Sequence, residues 1–455
     1  MSALAVSEEK LQNETVEALE FDLSSKQQAV YDALQAFADA SVPRSKFVLS
    51  GLAGTGKTTV ITRFIESLHR QGFRVGLAAP TGKAARVLNS KQKAVKACTL
   101  HRLFGVTPIT LSEEQKLEFD RLTFKHLNEK HLNVEEQARF FELQKIVDRA
   151  KKKVSFADAK ADEVNANYDI VVIDEASMLG KRTHAQDLGL NLLSIPVIFV
   201  GDPGQLPPVK DECCVNWDKP NAHLSEILRQ TNGSGIVPYS HAIYQGAWPK
   251  RDVVEMIPNI KLIPNMSPRV ISAAENGHQV LVQKNATRHQ FNWMLRQKRG
   301  VKGEIYDHYP AIGETIMCNK NYYPRGLFNG SMIEVTRVTT CGQHPRNKFL
   351  CDIEGIDDDG ILRTGITVSL HDMCETLSLY PSHIDNQANL EHAKNNGIEF
   401  RWTYAMTVHK SQGSEWDNVI LIGEMSPHRD EGRKWWYTGV TRAKRELIIA
   451  TTEIE

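Results

Sequence analysis

Net charge is what this chain lacks most plainly: 55 Lys and Arg stand against 55 Asp and Glu, a formal balance of zero. A surface that binds a polyanion would therefore have to be local, because no global excess of positive charge exists to attract one. Long apolar runs are missing as well, none approaching the ~20 residues that a membrane helix needs. The amino-terminal stretch MSALAVSEEKLQNE is acidic, unlike a basic and apolar secretory signal. The expectation is a cytoplasmic protein with no membrane partner. The 7 cysteines are scattered and include no C-x-x-C pair, and the neighbours Cys213 and Cys214 make a poor disulfide geometry. Free thiols and no zinc site are expected. Low-complexity tracts and short-period repeats are also lacking. At 455 residues the chain exceeds one ordinary core, so two or more domains are expected.

What is present begins with FVLSGLAGTGKTTV, Phe47 to Val60. Gly51, then four residues, then Gly56, Lys57 and Thr58 fit a phosphate-binding loop, in which glycines let backbone N–H groups curl around nucleotide phosphates. The strand-like FVLS before it and the helix-like TTVITRFIESLHR after it supply the context such a loop needs. Gly54, Thr55 and Thr59 complete the candidate nucleotide contacts. Lys57 would reach the β- and γ-phosphates and Thr58 would hold Mg²⁺.

Short buried-strand patterns recur in the first half as KFVLSG, RVGLAAPT, YDIVVIDE and IPVIFVGD, separated by helix-like segments. That arrangement indicates a parallel sheet covered on both faces, with ligands outside the carboxyl ends of its strands. A second set, HQVLVQKN, DNVILIGE and RELIIATT, predicts another α/β layer from about residue 231 to the end. Between these later strands, MIEVTRV, KFLCDIEG and ILRTGITVSL read as a small inserted β domain, with Asn329-Gly330 as a turn at its start. Asp174 and Glu175 close a strand downstream of the loop. One acid can bind Mg²⁺ through its shell and the next can activate an attacking water. Gln205, in FVGDPGQLPPV, ends the following strand near Asp202 and could bond the γ-phosphate or its water.

In order along the chain stand GLAGTGKTT, LAAPTGKAARVL, TLHRLFG, VVIDEASM, GDPGQLPPV, LSEILRQ, YAMTVHKSQGSEWDNVIL and WWYTGVTRAKREL. Together these blocks resemble the superfamily 1 helicases of the RecD-like 1B branch, from Leu23 to about Leu447. The resemblance implies two RecA-like P-loop motor domains with parallel sheets, a helical insertion in the first and a small SH3-like β-barrel in the second. The implied bounds are 1–110 and 166–230 for the first motor domain, 111–165 for the helical insertion, 231–310 and 400–455 for the second motor domain, and 311–399 for the inserted barrel.

The resemblance also implies roles at matching positions. Gln27 would read the adenine edge, although Ser24 stands where many relatives carry threonine. Lys57, Thr58 and Asp174 would hold Mg-ATP, and Glu175 would be the base. Arg229 and Arg442 would reach the γ-phosphate, the second from across the cleft. Pro80, Thr81, His101, Thr407 and His409 would lie along single-stranded DNA, mainly at phosphates and sugars, which carry no sequence code. Gly413 and Glu415, with Gln412, would join that track to the nucleotide. The implied activity is ATP-dependent DNA unwinding by a monomeric motor moving 5′ to 3′ on single-stranded and forked DNA. A replication, recombination or repair role goes with it, in the host cytoplasm if the chain is phage-encoded. A replication or single-strand-binding protein is a further candidate partner. Two other readings stay open: a DNA-stimulated translocase that displaces proteins without separating strands, and a nucleotide-switched recombination mediator.

Residues 111–165 depart from the short hairpin common in that family. Ser112 with Gln115 and Asn133 with Glu136 are helix-start signatures, and EEQARFFELQKIVDRAKKK puts Phe140, Leu143 and Val147 on one face. A helical hairpin is expected. Its functional reading is an arm that guides duplex with Arg149, Lys151, Lys152 and Lys153 near phosphates, and its plain reading is a solvated decoration.

Overall fold

The computed structural model describes residues 23–451, apart from 106–114, most of 116–132, 154–156, 229–233, 249–250, 266, 375–383, 427–428 and a few positions in 304–359. Six strands make the first sheet: β1 (Lys46–Gly51), β2 (Val75–Ala79), β3 (Cys98–Thr99), β4 (Ile170–Ile173), β5 (Val197–Gly201) and β6 (Ala222–Leu224). Their order is β3-β2-β4-β5-β1-β6 and every pairing is parallel. Neighbours on one strand point to opposite faces, so a sheet covered on both sides needs apolar residues at consecutive positions. β4 meets that demand. Ile170 and Val172 join one core with Leu34, Phe64 and Leu88, while Val171 and Ile173 join another with Leu100, Phe104 and Phe199.

The second sheet repeats the plan with β7 (Ile260–Ile263), β8 (Gln279–Val282), β14 (Ala405–Thr407), β15 (Trp416–Ile422) and β16 (Ala443–Ala450), in the order β14-β8-β15-β16-β7. All its pairings are parallel. Val280, Val282, Ile420 and Ile422 pack on one side, Leu281, Val419 and Leu421 on the other. The two sheets are the cores of two RecA-like domains.

Between β8 and β14 the chain closes a five-stranded barrel from β9 (Thr315–Cys318), β10 (Met332–Thr340), β11 (Leu350–Asp357), β12 (Leu362–Ser369) and β13 (Ile398–Trp402). The expectation that Asn329-Gly330 begins this unit is corrected, since β9 precedes it and pairs antiparallel with β10. Asn329-Gly330 is instead the turn before β10, where Gly330 takes φ +92°, a conformation without penalty only for glycine. β9 escaped the sequence reading because its apolar run, Ile316 to Cys318, is only three residues long, too short to register as a buried strand. The barrel is pinned to the motor by Arg296, buried in the helix Asn285–Lys298, whose Nε donates to Glu314 at 2.8 Å. Tyr404 donates its hydroxyl to the same carboxylate at 2.9 Å.

The helix Val134–Lys153 begins as the sequence signature predicts. Glu136 N–H donates to Asn133 Oδ1 at 2.8 Å and Asn133 N–H donates to Glu136 Oε2 at 3.2 Å, a reciprocal capping box. Phe140 and Leu143 are buried with Leu122 against Phe119, whose ring stacks on Phe140 at 5.6 Å. Residues 115, 118, 119, 122 and 125 are helical too, so two helices share a small core of their own. Ser112 lies outside the described residues, as do the side chains of Val147, Arg149 and the lysines at 151–153.

Candidate active site and strand-facing edge

β1 runs into the loop at Gly51, and the helix Lys57–Arg70 takes over with Gly56 as its cap. Gly54 and Gly56 adopt φ of +79° and +81°, which a side chain would oppose. Gly56 also lies under Gln27, since a Cβ there would stand 2.2 Å from Gln27 Nε2. Gln27 is held in place by a second capping box: its Oε1 accepts from Ser24 N–H at 3.1 Å, and its own N–H donates to Ser24 Oγ at 3.4 Å. Ser24 thus does the capping, and the amide Nε2 of Gln27 is turned toward the loop. Lys57 Nζ donates to the carbonyls of Gly51 and Leu52 at 2.6 and 3.0 Å.

A cleft of 620 Å³ opens on this loop. From the first domain it is lined by Gln27, Gly54, Gly56, Lys57, Thr58 and Thr59, with Asp174, Glu175 and Gln205 at its floor. Glu415 and Arg442 face them from the second domain. Burial, then the charge of Asp174, raises the Glu175 carboxyl to about 7, against the pull of Arg442 and Lys57. Burial raises Asp174 also. Glu175 sits at φ +54°, a strained conformation for a residue with a side chain, and such strain gathers at functional sites. The Oε1 of Gln205 is buried and has no hydrogen-bond partner among the described residues. Gln205 itself lines the cleft.

Arg442 is 4% exposed and oriented by three acceptors. Its Nε donates to Thr438 O at 3.0 Å, Nη1 to Ser414 O at 3.1 Å and Nη2 to Thr441 Oγ1 at 3.0 Å. Three of the candidate nucleotide residues do not line the cleft. Gly51 is buried at the strand end. Thr55 is fully buried and donates its hydroxyl to Leu52 O at 2.8 Å, so it shapes the loop from behind. Gly413 faces the other domain's strand edge, where a Cβ would stand 2.9 Å from Thr81 Oγ1. Arg229 lies outside the described residues.

The residues matched to a polymer track all follow the carboxyl ends of strands. Pro80 and Thr81 follow β2, His101 follows β3, and Thr407 ends β14 with His409 in the next turn. Thr81 caps the helix Gly82–Lys91 by accepting from Ala84 N–H at 3.2 Å. His101 and His409 are held below the ordinary histidine range by burial, which keeps both rings neutral near pH 7. Neutral imidazoles, hydroxyls and helix-start N–H groups can donate to phosphate oxygens without reading bases.

The cleft fits Mg²⁺ bound through phosphates. Thr58 and Asp174 both line it and offer hard oxygen donors, and among the described residues no group of three or more His, Cys, Asp or Glu could hold a metal alone.

Residues 22–259 match the protein family described as AAA domain. The chain belongs to that family. Residues 403–450 match in addition a UvrD-like helicase C-terminal domain. The ATP-dependent RecD2 DNA helicase of Deinococcus radiodurans is 25% identical over 424 residues, covering 89% of this chain and 46% of the relative. The RecBCD enzyme subunit RecD of Mycolicibacterium smegmatis is 24% identical, covering 95% of this chain and 73% of the relative. The chain thus spans less than half the length of the first and about three quarters of the second. A solved structure on DNA unwinding at forked dsDNA by two coordinating Pif1 helicases has a TM-score of 0.51 at 18% identity, over 96% of this chain and 93% of that one, a likeness of fold. The expected resemblance to the RecD-like branch is borne out.

Sequence reasoning overlooked how the AAA-domain loop is tied to the second sheet. Tyr437, fully buried in the helix Asp430–Val440, accepts from Ala53 N–H at 2.6 Å and donates to Asp202 Oδ2 at 2.6 Å. His241 Nε2 lies 2.9 Å from the Ala53 carbonyl, so its ring donates there. Gln412 donates to Leu206 O at 2.7 Å, and Leu206 N–H donates to Thr438 Oγ1 at 2.9 Å. In WWYTGV a tyrosine reads as core. The signal that could have found it is a hydroxyl in an otherwise apolar run, since a buried one needs partners.

Proposed function

We propose that the chain is an ATP-dependent DNA helicase that translocates 5′ to 3′ along a single strand and couples hydrolysis to strand separation. The observation that carries this is a single cleft holding a phosphate loop and an acid pair on one sheet and Arg442 on another. The candidate strand contacts of both sheets follow carboxyl strand ends, the edge on which that cleft also opens. Lys57 and the loop N–H groups would bind the β- and γ-phosphates, and Gln27 the base. Mg²⁺, held by Thr58 and Asp174, would neutralise charge on the phosphate oxygens. Glu175 would take the proton of the attacking water, with Gln205 Oε1 orienting that water. Charge builds on the phosphoryl oxygens as the bond breaks, and an arginine supplied across the cleft is worth ~10³ to 10⁵ in rate. Arg442 is suited to that part, because its guanidinium is already oriented and needs no reorganisation.

Closure on the γ-phosphate would move Thr407 and His409 relative to Thr81 and His101. Thr81 against Gly413 is the contact at which such movement is passed between the domains. The 5′-to-3′ direction rests on the resemblance to the RecD-like branch. The test is unwinding of partial duplexes carrying either a 5′ or a 3′ single-stranded tail, with ATP. Opening of only the 5′-tailed substrate is expected. Opening of only the 3′-tailed one would reverse the direction. DNA-stimulated ATPase without opening of either would favour a translocase that clears proteins.

A further inference from the structure

Lys83 stands where helix electrostatics disfavour it. It lies in the first turn of the helix Gly82–Lys91, whose cap is Thr81, and a cation there faces the positive end of the helix dipole. That turn reads Gly82, Lys83, Ala84, Ala85, so it carries no acid of its own to offset the charge. The ammonium meets the other motor domain instead. Lys83 Nζ lies 4.1 Å from the ring centroid of Trp416, the first residue of β15. Both residues are half-buried. An indole presents a negative face to a cation, and the attraction grows where water is partly excluded.

Trp416 belongs to the segment that holds Arg442. Its N–H donates to the Arg442 carbonyl at 2.9 Å, and the carbonyl of Ser414, two residues earlier, accepts from the Arg442 guanidinium at 3.1 Å. Glu415, between them, lines the nucleotide cleft. On the first domain's side, Lys83 follows the expected strand contact Thr81 by two residues. Gly413 packs there so closely that a Cβ on it would stand 2.9 Å from Thr81 Oγ1 and 3.1 Å from Ala84 Cβ. That approach is a fit of surfaces, and Lys83 on Trp416 adds a directed attraction beside it.

We propose that Lys83 and Trp416 form a latch between the two motor domains, through which a strand seated at Thr81 sets the position of Arg442 and so speeds hydrolysis. The proposal rests on the helicase reading above. Neither residue touches the nucleotide, and both are positioning residues. The strand orders the start of the Gly82–Lys91 helix, Lys83 carries that order to the indole, and the Trp416 backbone passes it to Arg442. The contact needs a positive charge on one side and an aromatic face on the other. A neutral side chain of the same length would fill the space and lose the attraction.

The test is steady-state ATPase of the full chain with and without a dT oligomer, at varied ATP. In Lys83→Met the DNA-stimulated kcat should fall about fivefold, while the DNA-free rate, the KM for ATP and nucleotide-free strand affinity stay within about twofold of wild type. Lys83→Arg should restore most of the stimulated rate, because a guanidinium also stacks on an indole. Trp416→Leu should match Lys83→Met, and Trp416→Phe, which keeps an aromatic face, should lose less. The double variant Lys83→Met with Trp416→Leu should lose no more than either alone, as a coupled pair does. Additive losses would overturn the latch. So would a fall in melting temperature and in both rates together, the mark of a purely structural contact. Weaker nucleotide-free strand binding in Lys83→Met, with Trp416→Leu unaffected, would overturn it by assigning Lys83 to the strand. Unchanged stimulation in every variant, with the wild type stimulated normally, would remove the latch and leave the helicase reading standing. A wild type that no oligomer stimulates would remove the helicase reading itself.

Discussion

The first-domain wall of the nucleotide cleft presents charge and bare backbone to its ligand, whereas the second-domain wall sends few groups into the cleft and many to the first wall. On one side stand Lys57, Asp174, Glu175 and a loop whose Gly54 and Gly56 take positive φ. On the other, Arg442 and Glu415 reach the cleft, while Tyr437, His241, Gln412 and Thr438 bond first-domain backbone at Ala53 and Leu206. Leu52 and Leu206 are even buried in the second domain's core. On the proposed reading, one wall holds the nucleotide and the other is bonded to the backbone that holds it.

The comparison is broken most severely at Glu175. Glu175→Gln keeps the shape and removes the base, so turnover should fall by about 10² to 10⁴ while nucleotide and DNA binding persist. Steady-state ATPase and nucleotide titration check both halves. In the wild type, the rate should rise with pH through about 7, as the raised Glu175 carboxyl ionises. Stability runs the other way. A carboxyl whose folded pKa lies above its unfolded value holds its proton better when folded, so its contribution is present at low pH and lost as pH rises through about 7. Glu175→Gln should therefore melt higher than wild type, with the gap wider at pH 8 than at pH 5.

A smaller effect is expected on the second wall. Tyr437→Phe leaves the Ala53 N–H and a buried Asp202 oxygen unbonded, at about 1–3 kcal/mol each. The melting temperature should fall, and DNA-stimulated ATPase should drop by about tenfold with nucleotide affinity less affected. Equal losses in both would mean that Tyr437 only supports the fold.

These two walls also differ in how far they could be read from the sequence. Loop, acid pair and Gln205 are legible because each is a local run whose spacing is fixed by a phosphate or a strand end. Tyr437 is not, since its partner Ala53 is 384 positions away and its neighbours are apolar. The same holds for Arg288, which meets the barrel's Asp372, itself paired with Arg401, from 84 positions away. Strands β3, β6 and β14, of two or three residues, are too short for any period to register. β7 (IKLI) was missed for a different reason: it is an edge strand with an exposed lysine and no flanking motif. The arm was legible where its chemistry is local, as in the Asn133–Glu136 box.

That box gives the smallest predicted effect. Asn133→Ala removes one cap, at about 1 kcal/mol, confined to a helix with its own small core. Amide exchange should quicken in the first turn of Val134–Lys153 while single-strand-stimulated ATPase stays at the wild-type level. Loss of ATPase there would show the arm to be continuous with the motor.

The account's central claim is that Arg442 joins catalysis from the second wall and takes no part in gripping DNA. Arg442→Ala, measured side by side for DNA-stimulated ATPase and for single-strand affinity without nucleotide, tests it most directly. Hydrolysis should fall by about 10³ or more, with strand affinity within about twofold of wild type. Weakened strand binding with stimulated hydrolysis intact would contradict the claim and assign Arg442 to the track.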